Sequence, residues 1–482
     1  MIDETIVERV DVAAVNAAPR RSLYAKRQKI FPKLAHGRFR KLKWAVMAAT
    51  LAIYYVAPWL RWDRPGDAPD QAILIDFPSR KFYFFFIEIW PQEVYYITGL
   101  LIIAAMSLFL VNSLFGRVWC GYTCPQTVWT DLFVAVERLV EGDRGARIRL
   151  DNAPYTAGKL GKRVIKHAVW IVIAMATGGA WVFYFADAPT LLVDLVTGQA
   201  STVAYISVAV LTFTTYMLGG LAREQVCTYM CPWPRIQASM VDEHSLQVTY
   251  RGYRGEPRAP FRKGQDWDAR GHCIDCKNCV AVCPAGIDIR DGPQLECINC
   301  ALCIDACDEV MDKIDLPRGL IAYDSDENMI ARAAGKPARF PWLRARTAIY
   351  AAVVVITMIV MLVALSGRSV LELTAQHDRA PLFVELSDGS IRNGYTVKIL
   401  NKVHEERTFA LSVAGIEGAK VDVAGLTGET ADIIIVGPDS LRSLRVLVAA
   451  PRDQTGDIDF VVRDLADGTE ARHDSQFVGP KR

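Results

Sequence analysis

Five long runs without charge divide this chain: Trp44–Leu60, Val94–Phe115, His167–Phe185, Val203–Leu221 and Ala348–Leu365. A helix that crosses the hydrocarbon core of a bilayer needs about 20 predominantly apolar residues, so each run predicts a transmembrane helix. A shorter aromatic stretch, Phe82–Trp90, is fenced by Lys81 and Glu88 and reads as an interfacial or re-entrant piece. Beyond Ser366 the period of the pattern falls to two. Phe383–Leu386, Tyr395–Leu400, Thr408–Val413, Ala431–Val436, Leu444–Ala449 and Asp457–Val462 read as strands, separated by turns such as Asp388-Gly389 and Asp467-Gly468. Several short strands in roughly 100 residues predict an immunoglobulin-like β-sandwich. The fold class is therefore a polytopic α-helical membrane protein with a C-terminal sandwich.

Charge orients the spans. The chain has 55 Lys and Arg against 53 Asp and Glu, a net of +2, so no overall basic field points to nucleic acid. The basic residues are instead crowded locally, over Arg20–Lys43 and over the loop Gly116–Lys166, and basic loops stay in the cytoplasm. The loop between spans three and four carries Asp187 and Asp194 and no Lys or Arg, which suits the outer side. The expected organisation has a basic cytoplasmic segment at 1–43, acting as topology signal and lipid-surface anchor, then a four-helix membrane domain at 44–221. A cytoplasmic region follows at 222–346, then a fifth span at 347–366 and a periplasmic sandwich at 367–482. The first span begins late and lacks a small-residue cleavage site, so it does not read as a signal peptide.

The twelve cysteines fall in four groups, all on the side predicted to be cytoplasmic, so a disulfide framework has no support. Cys273-x2-Cys276-x2-Cys279-x3-Cys283-Pro284 and Cys297-x2-Cys300-x2-Cys303-x3-Cys307 have the spacing by which bacterial ferredoxins hold two [4Fe-4S] clusters, over residues of about 265–320. The loop of three close cysteines is too tight to supply a fourth ligand. Cys283 is therefore expected to ligate the cluster of Cys297, Cys300 and Cys303, and Cys307 that of Cys273, Cys276 and Cys279. Zinc knuckles would instead show two-cysteine pairs with a long spacer. Asp308 stands where the first half has Pro284, which weakens the turn and removes no ligand.

The other two groups repeat each other: Cys120-Gly-Tyr-Thr-Cys124-Pro125 after span two and Cys227-Thr-Tyr-Met-Cys231-Pro232 after span four, with Arg117 and Arg223 upstream. If a span continues as helix into the motif, the i, i+4 spacing puts both sulfurs on one face and the proline ends or kinks the helix. Two such thiolates can bind Cu(I). Four can surround a metal or a further cluster, or form a dithiol relay. Buried structural cysteines are the plain alternative for a single pair. Two copies at equivalent positions beside a ferredoxin argue against it.

Other residues carry less. His167 at the head of span three, and His36 and His272, read as ordinary histidines before metal ligands. Met358 and Met361 in span five read as packing or lipid-facing methionines before a thioether copper path. No glycine-rich phosphate loop is present.

The order of these parts, with Gly-Arg-Val-Trp-Cys-Gly-Tyr-Thr-Cys-Pro-Gln at 116–126 and Cys-Thr-Tyr-Met-Cys-Pro-Trp-Pro-Arg-Ile-Gln at 227–237, resembles the cytochrome c oxidase accessory proteins called CcoG, FixG or RdxA. The resemblance covers nearly the whole chain. It implies an inner-membrane cupric reductase, reducing Cu(II) to Cu(I) for assembly of cbb3-type cytochrome c oxidase, with Cys120, Cys124, Cys227 and Cys231 as the copper-handling or relay thiols. Implied partners are a cytoplasmic electron donor, copper ions, copper transporters or chaperones, oxidase subunits and a second copy of the chain. The residues alone support electron transfer from the clusters to something at the membrane. An electron-transfer subunit feeding a reductase or quinone, and a non-catalytic assembly scaffold, stay open beside the cupric reductase.

Overall fold

The computed structural model describes residues 7, 9–16, 29–65, 68–262, 267, 270–426 and 433–480. Part of the basic run, 20–28, and the first residues of the expected strand at Ala431 lie outside these. So do 265–266 and 268–269 at the head of the expected ferredoxin domain. The chain divides into two compact units, one of Met1–Trp62 and Gln71–Met361, the other of Asp63–Asp70 and Leu362–Arg482.

The first unit opens with α1 (Arg38–Val56) and a three-stranded meander, β1 (Ile73–Asp76), β2 (Lys81–Phe84) and β3 (Ile87–Ile89). The stretch 82–90 thus pairs its backbone groups between strands and makes no re-entrant helix; Phe84 and Phe86 stay exposed, while Lys81 lies over the Trp90 ring at 3.9 Å. Next come α2 (Tyr95–Phe115), α3 (Val118–Tyr122), α4 (Pro125–Glu141), α5 (Arg144–Asn152), α6 (Ala157–Thr177), α7 (Ala188–Thr197) and α8 (Thr202–Thr215). The wider helix Ala157–Tyr184 starts ten residues ahead of the expected span, because Thr156 caps it by accepting from Lys159 N–H. The acidic loop between these helices contains α7, capped by Asp187, whose side chain accepts from Thr190 N–H and ion-pairs with Arg61 at 2.7 Å.

Among the described residues, four helices are long and apolar enough to cross a membrane: Pro91–Phe115, Ala157–Tyr184, Thr202–Ala222 and Ala345–Ser366. This is a membrane protein. The first expected span is helical too, but α1 carries Arg38, Arg40, Lys41 and Lys43 in its opening turns, and its apolar part is correspondingly shorter.

The chain leaves α8 through two π-helical segments, Tyr216–Ala222 and Val226–Met230, followed by α9 (Trp233–Ala238). Gly219 and Gly220 bring the first π segment against Phe133 and Trp170; a Cβ on either would stand 3.0–3.1 Å from those rings. A two-stranded sheet, β4 (Gln247–Tyr250) with β5 (Ile321–Asp324), brackets the cysteine-rich loops with α10 (Gly252–Gly255), α11 (Asn278–Ala281) and α12 (Leu302–Lys313) between its strands. α13 (Asp326–Ala333) and α14 (Ala345–Ser366) follow.

The second unit is a sandwich of two antiparallel sheets, ordered β10-β12-β8-β6 with β7 on β8, and β11-β9-β13-β14. Its strands are β6 (Leu371–His377), β7 (Val384–Glu385), β8 (Ile391–Asn401), β9 (Arg407–Ala414), β10 (Lys420–Val423), β11 (Ile433–Val436), β12 (Ser440–Ala450), β13 (Gly456–Asp464) and β14 (Glu470–Phe477). Alternate residues point inward. Tyr395, Val397, Ile399, Phe409, Val446, Val448, Ile458, Phe460 and Val462 form the core. Three strands, β6, β10 and β14, were not expected from the pattern; β14 is a polar edge strand that fully buries only Phe477.

Candidate electron-transfer and metal site

The two cysteine-rich loops have one backbone plan. The residue before the second cysteine and the residue after it are left-handed in both halves, at Asp275 (φ 53°) and Lys277 (φ 56°), and at Asn299 (φ 52°) and Ala301 (φ 60°). Asp and Asn tolerate this conformation, whereas Lys and Ala are held there against their preference. The result is a loop that curls its three sulfurs to one side before α11 or α12 begins. The halves then diverge. Pro284 follows a chain that has already left α11, while α12 runs straight through Cys307 and Asp308 to Lys313. Asp308 thus weakens no turn, contrary to expectation, because the second half has none there; its carboxylate accepts from Gly319 N–H at 2.9 Å.

The fourth cysteines cross over. Cys283 lines one small cavity with Cys297, Cys300 and Cys303, and Cys307 lines another with Cys273 and Cys276. Cys279 borders both. Burial, then the neighbouring Cys300 and Cys297, push the Cys283 thiol up to about 12, although the N–H groups of Ile287 and Ala285 oppose the rise. Burial does the same to Cys297, to about 11, against a bond from Asn299 N–H. Buried sulfurs in two fours, with backbone donors aimed at them, are a donor set that fits [4Fe-4S] clusters: iron displaces the thiol protons, and the N–H groups remain to stabilise the bound thiolates. Arg290 reaches Asp275 and Asp288 at 2.7 Å each and puts a cation beside Cys279.

The C-x3-C-P pairs do not lie on continuous helices. Gly116 (φ 60°) ends α2, Cys120 sits in short α3, and Cys124 precedes Pro125 at the first position of α4. Proline starts a helix there, its missing N–H costing nothing in the first turn. In the second copy Arg223 (φ 47°) breaks the chain, Cys227 sits in the second π segment and Cys231 leaves it extended. Packing nevertheless brings all four thiols near enough to act on one another's protonation, although among the described residues no three of these sulfurs lie within 4.8 Å of one another. The Cys120 thiol is pushed up to about 12 by burial, with Cys124, Cys227 and Cys231 adding to the rise and Arg117 opposing it. Cys227 rises to about 11 by burial with Cys124 and Cys231 beside it. The copies are laced together by glutamines. Gln126 donates to the carbonyls of Leu218 (2.8 Å) and Arg223 (3.1 Å), and Gln237 Oε1 accepts from the Cys120 thiol at 3.0 Å.

This cluster of thiols abuts the second ferredoxin loop. Tyr122 Oη donates to the Cys300 carbonyl at 3.3 Å, Arg117 reaches the Leu295 carbonyl, and Tyr323 Oη donates to the Asn299 carbonyl at 2.5 Å. Gly121 lets the backbones meet, since a Cβ there would stand 2.6 Å from the Ile298 carbonyl oxygen. A small cavity of about 60 Å³, lined among others by Asp131, Arg223, Glu224 and Glu296, reaches Cys227. Behind it, Glu137 pairs with Arg223 (2.6 Å), Arg147 (3.1 Å) and Lys166 (3.5 Å).

Sequence reasoning named the twelve thiols and missed Gln237, Gly121, Tyr122, Tyr323 and Glu137; the Tyr in each motif was the only visible signal. His167 Nδ1 bonds Tyr216 Oη at 2.9 Å and packs on Trp170, and His272 Nδ1 accepts from Arg254 at 2.8 Å, so both rings are engaged by the protein. His36 is exposed and Met358 points outward from α14.

Three family models match: a 4Fe-4S dicluster domain over 222–326, a 4Fe-4S binding domain over 97–141, and an IG-like fold at the C-terminal of FixG over 361–480. The nitrogen fixation protein FixG of Rhizobium meliloti is 53% identical over 92% of this chain and 91% of its own. RdxB of Cereibacter sphaeroides is 53% identical, covering 95% and 98%, and RdxA of the same organism 50%, covering 89% and 91%. A solved FixG-related protein from Vibrio parahaemolyticus aligns with 23% of this chain and 98% of its own at 21% identity and a TM-score of 0.21.

Proposed function

The chain belongs to the FixG/RdxA family of iron-sulfur electron-transfer proteins, and from that premise we propose that it reduces Cu(II) to Cu(I) at the C-x3-C-P thiols for assembly of a cbb3-type cytochrome c oxidase. Cys273, Cys276, Cys279 and Cys307 hold one [4Fe-4S] cluster, and Cys297, Cys300, Cys303 and Cys283 the other. When bound, the clusters supply single electrons, which is what each Cu(II) requires. Cys120, Cys124, Cys227 and Cys231 receive the copper, and the soft thiolates favour the Cu(I) product. The observation that carries this reading is that Gln126 and Gln237 tie the two C-x3-C-P motifs together while Gly121, Tyr122 and Arg117 press the first against the loop of the second cluster.

The protein's own residues prepare both ends of the transfer. Arg117 places a cation near Cys120, Cys227 and Cys297, which favours thiolate on each and offsets charge as an electron moves between them. Gln237 accepts the Cys120 proton bond and so fixes the direction of that sulfur. The small cavity that reaches Cys227 has the carboxylates Asp131, Glu224 and Glu296 in its lining.

The test is anaerobic: reduce the purified protein, remove excess reductant, add Cu(II), and follow cluster absorbance together with capture of Cu(I) by a colorimetric chelator. Cluster reoxidation in step with Cu(I) formation is expected. The double variant Cys120→Ala, Cys124→Ala should lose at least tenfold in rate and keep its iron. Clusters that stay reduced, with no Cu(I), would return the protein to a general electron-transfer subunit or a scaffold.

A further inference from the structure

A second, larger cavity of about 420 Å³ borders the first C-x3-C-P motif. Its walls come from α1, the start of α4 and the helices Ala157–Tyr184 and Thr202–Ala222, the last two long and apolar enough to cross a membrane. Thr123 and Pro125, the residues on either side of Cys124, form part of the lining. The volume is in the range of specific small-molecule sites, roughly 300–1,000 Å³.

Its chemistry is selective. The flat surfaces are Trp129, Trp181 and Tyr54, and four of the lining hydroxyls have already given their hydrogens to backbone carbonyls. Thr50 donates to the Val46 carbonyl (2.9 Å), Thr177 to Ile173 (2.7 Å), Thr214 to Leu211 (3.1 Å) and Tyr54 to Thr177 (2.6 Å). What these four oxygens have left to offer is lone pairs. An occupant at membrane depth that stacks on indole and donates O–H bonds to acceptors is an aromatic diol carried in lipid. A saturated acyl chain would use none of these groups.

We propose that this cavity binds an isoprenoid quinol, and that the quinol is the electron donor to the thiols and clusters. The inference rests on the copper-reductase reading for the fate of the electrons. One quinol gives up two electrons and two protons and becomes quinone. The electrons leave singly past Cys124 into the chain of redox groups, two Cu(II) ions take one each to become two Cu(I), and the protons pass to water. The quinone, having lost its two O–H donors, no longer bonds these four oxygens and is released.

The experiment uses the full-length protein in detergent, loaded with its clusters and oxidised, and a short-chain alkyl benzohydroquinone as probe. Hydroquinone should bleach the cluster absorbance anaerobically without copper, at a rate that saturates with its concentration. Leu211→Phe, which intrudes on the cavity, and Thr177→Val, which keeps shape and removes one acceptor, should each slow that bleaching at least tenfold at equal iron content. Both should form Cu(I) normally after reduction with dithionite. Bleaching by dithionite but not by hydroquinone, or equal hydroquinone rates in all three proteins, would overturn the proposal. Failure of dithionite-reduced wild type to reduce Cu(II) would instead sink the copper reading and leave quinol oxidation to be judged on the bleaching alone.

Discussion

At the scale of single residues, the coupling between the membrane-edge thiols and the ferredoxin hangs on one missing side chain. Gly121 has no role that its spacing in the motif reveals, yet a Cβ there would lie 2.6 Å from the Ile298 carbonyl oxygen and 3.1 Å from the Asn299 backbone. Backbone cannot swing aside as a flexible side chain can. Gly121→Ala is therefore expected to cost about 1–3 kcal/mol through overpacking, and to push the Cys300 loop away from Tyr122. The expected outcome is full iron content, a lowered melting temperature, and Cu(I) formation slowed relative to wild type when the clusters start reduced. Unchanged transfer kinetics would mean that electrons do not pass across this contact. The cluster ligands themselves were legible because a cubane imposes its spacing on neighbouring residues, and the chain prints that spacing directly. The contact at Gly121 was not, since it joins residues about 180 positions apart. Gln237 was hidden for the same reason.

At the scale of elements, the second motif is held in place by a buried charge network on α4. Glu137 is nearly enclosed, with Arg147, Lys166 and Arg223 around it. Burial alone would raise its carboxyl; Arg223 first, then Lys166 and Arg147, overcome this and bring it down to about 2 from an ordinary 4.5. A depressed carboxyl stabilises the fold above its unfolded value and ceases to do so as pH falls through the folded one. The contribution, on the order of 3 kcal/mol, is thus present at neutral pH and lost between about pH 4.5 and 2. Glu137→Gln should remove this acid transition and leave Arg223 without its carboxylate, with Lys166 still paired to Glu141 at 3.1 Å, at a cost of about 3–5 kcal/mol. Thermal unfolding in detergent across pH 3–7 measures both effects: wild type falls steeply toward pH 3, and the variant is lower but flatter. Apolar runs located the helices around this network correctly, because lipid requires them. They gave no sign of the breaks at Gly116 and Arg223 or of the π segments, which arise where Gly219 and Gly220 dock on Phe133 and Trp170. In the sandwich the strong two-residue alternation of β8, β9, β12 and β13 was readable. β14 was not, because an edge strand facing water needs few apolar residues.

At the scale of the molecule, the number of crossings turns on α1. Length and apolarity pick out four other helices, yet the contacts at their ends favour a fifth. The segment leading into α1 hydrogen-bonds the ferredoxin loops: Val10 N–H to the Cys276 carbonyl, Lys33 N–H to Ala281, Arg40 N–H to Asp305. The end of α2 lies there too, with Leu246 N–H on the Leu114 carbonyl, and so does the start of α14, where Arg344 donates to the Ser113 carbonyl at 2.6 Å. A chain that begins α1 and finishes a membrane-crossing α2 on the same side must cross away and return, and on this ground we propose that α1 spans. Its basic opening turns are no obstacle, because Arg40 and Lys43 are buried against Asp131 at 2.8 and 3.8 Å, and the remaining turns present Ile53, Tyr55 and Val56 outward. On that proposal, with the basic loops inside, the sandwich is expected on the outer side. Alkaline phosphatase, active only outside, should therefore be active when fused after Trp62 and after Pro480, and silent when fused after Asn152 or Ala334. Silence after Trp62 with activity after Pro480 would show that α1 stays on the inner surface, and the copper path would then have to be drawn from a four-span arrangement.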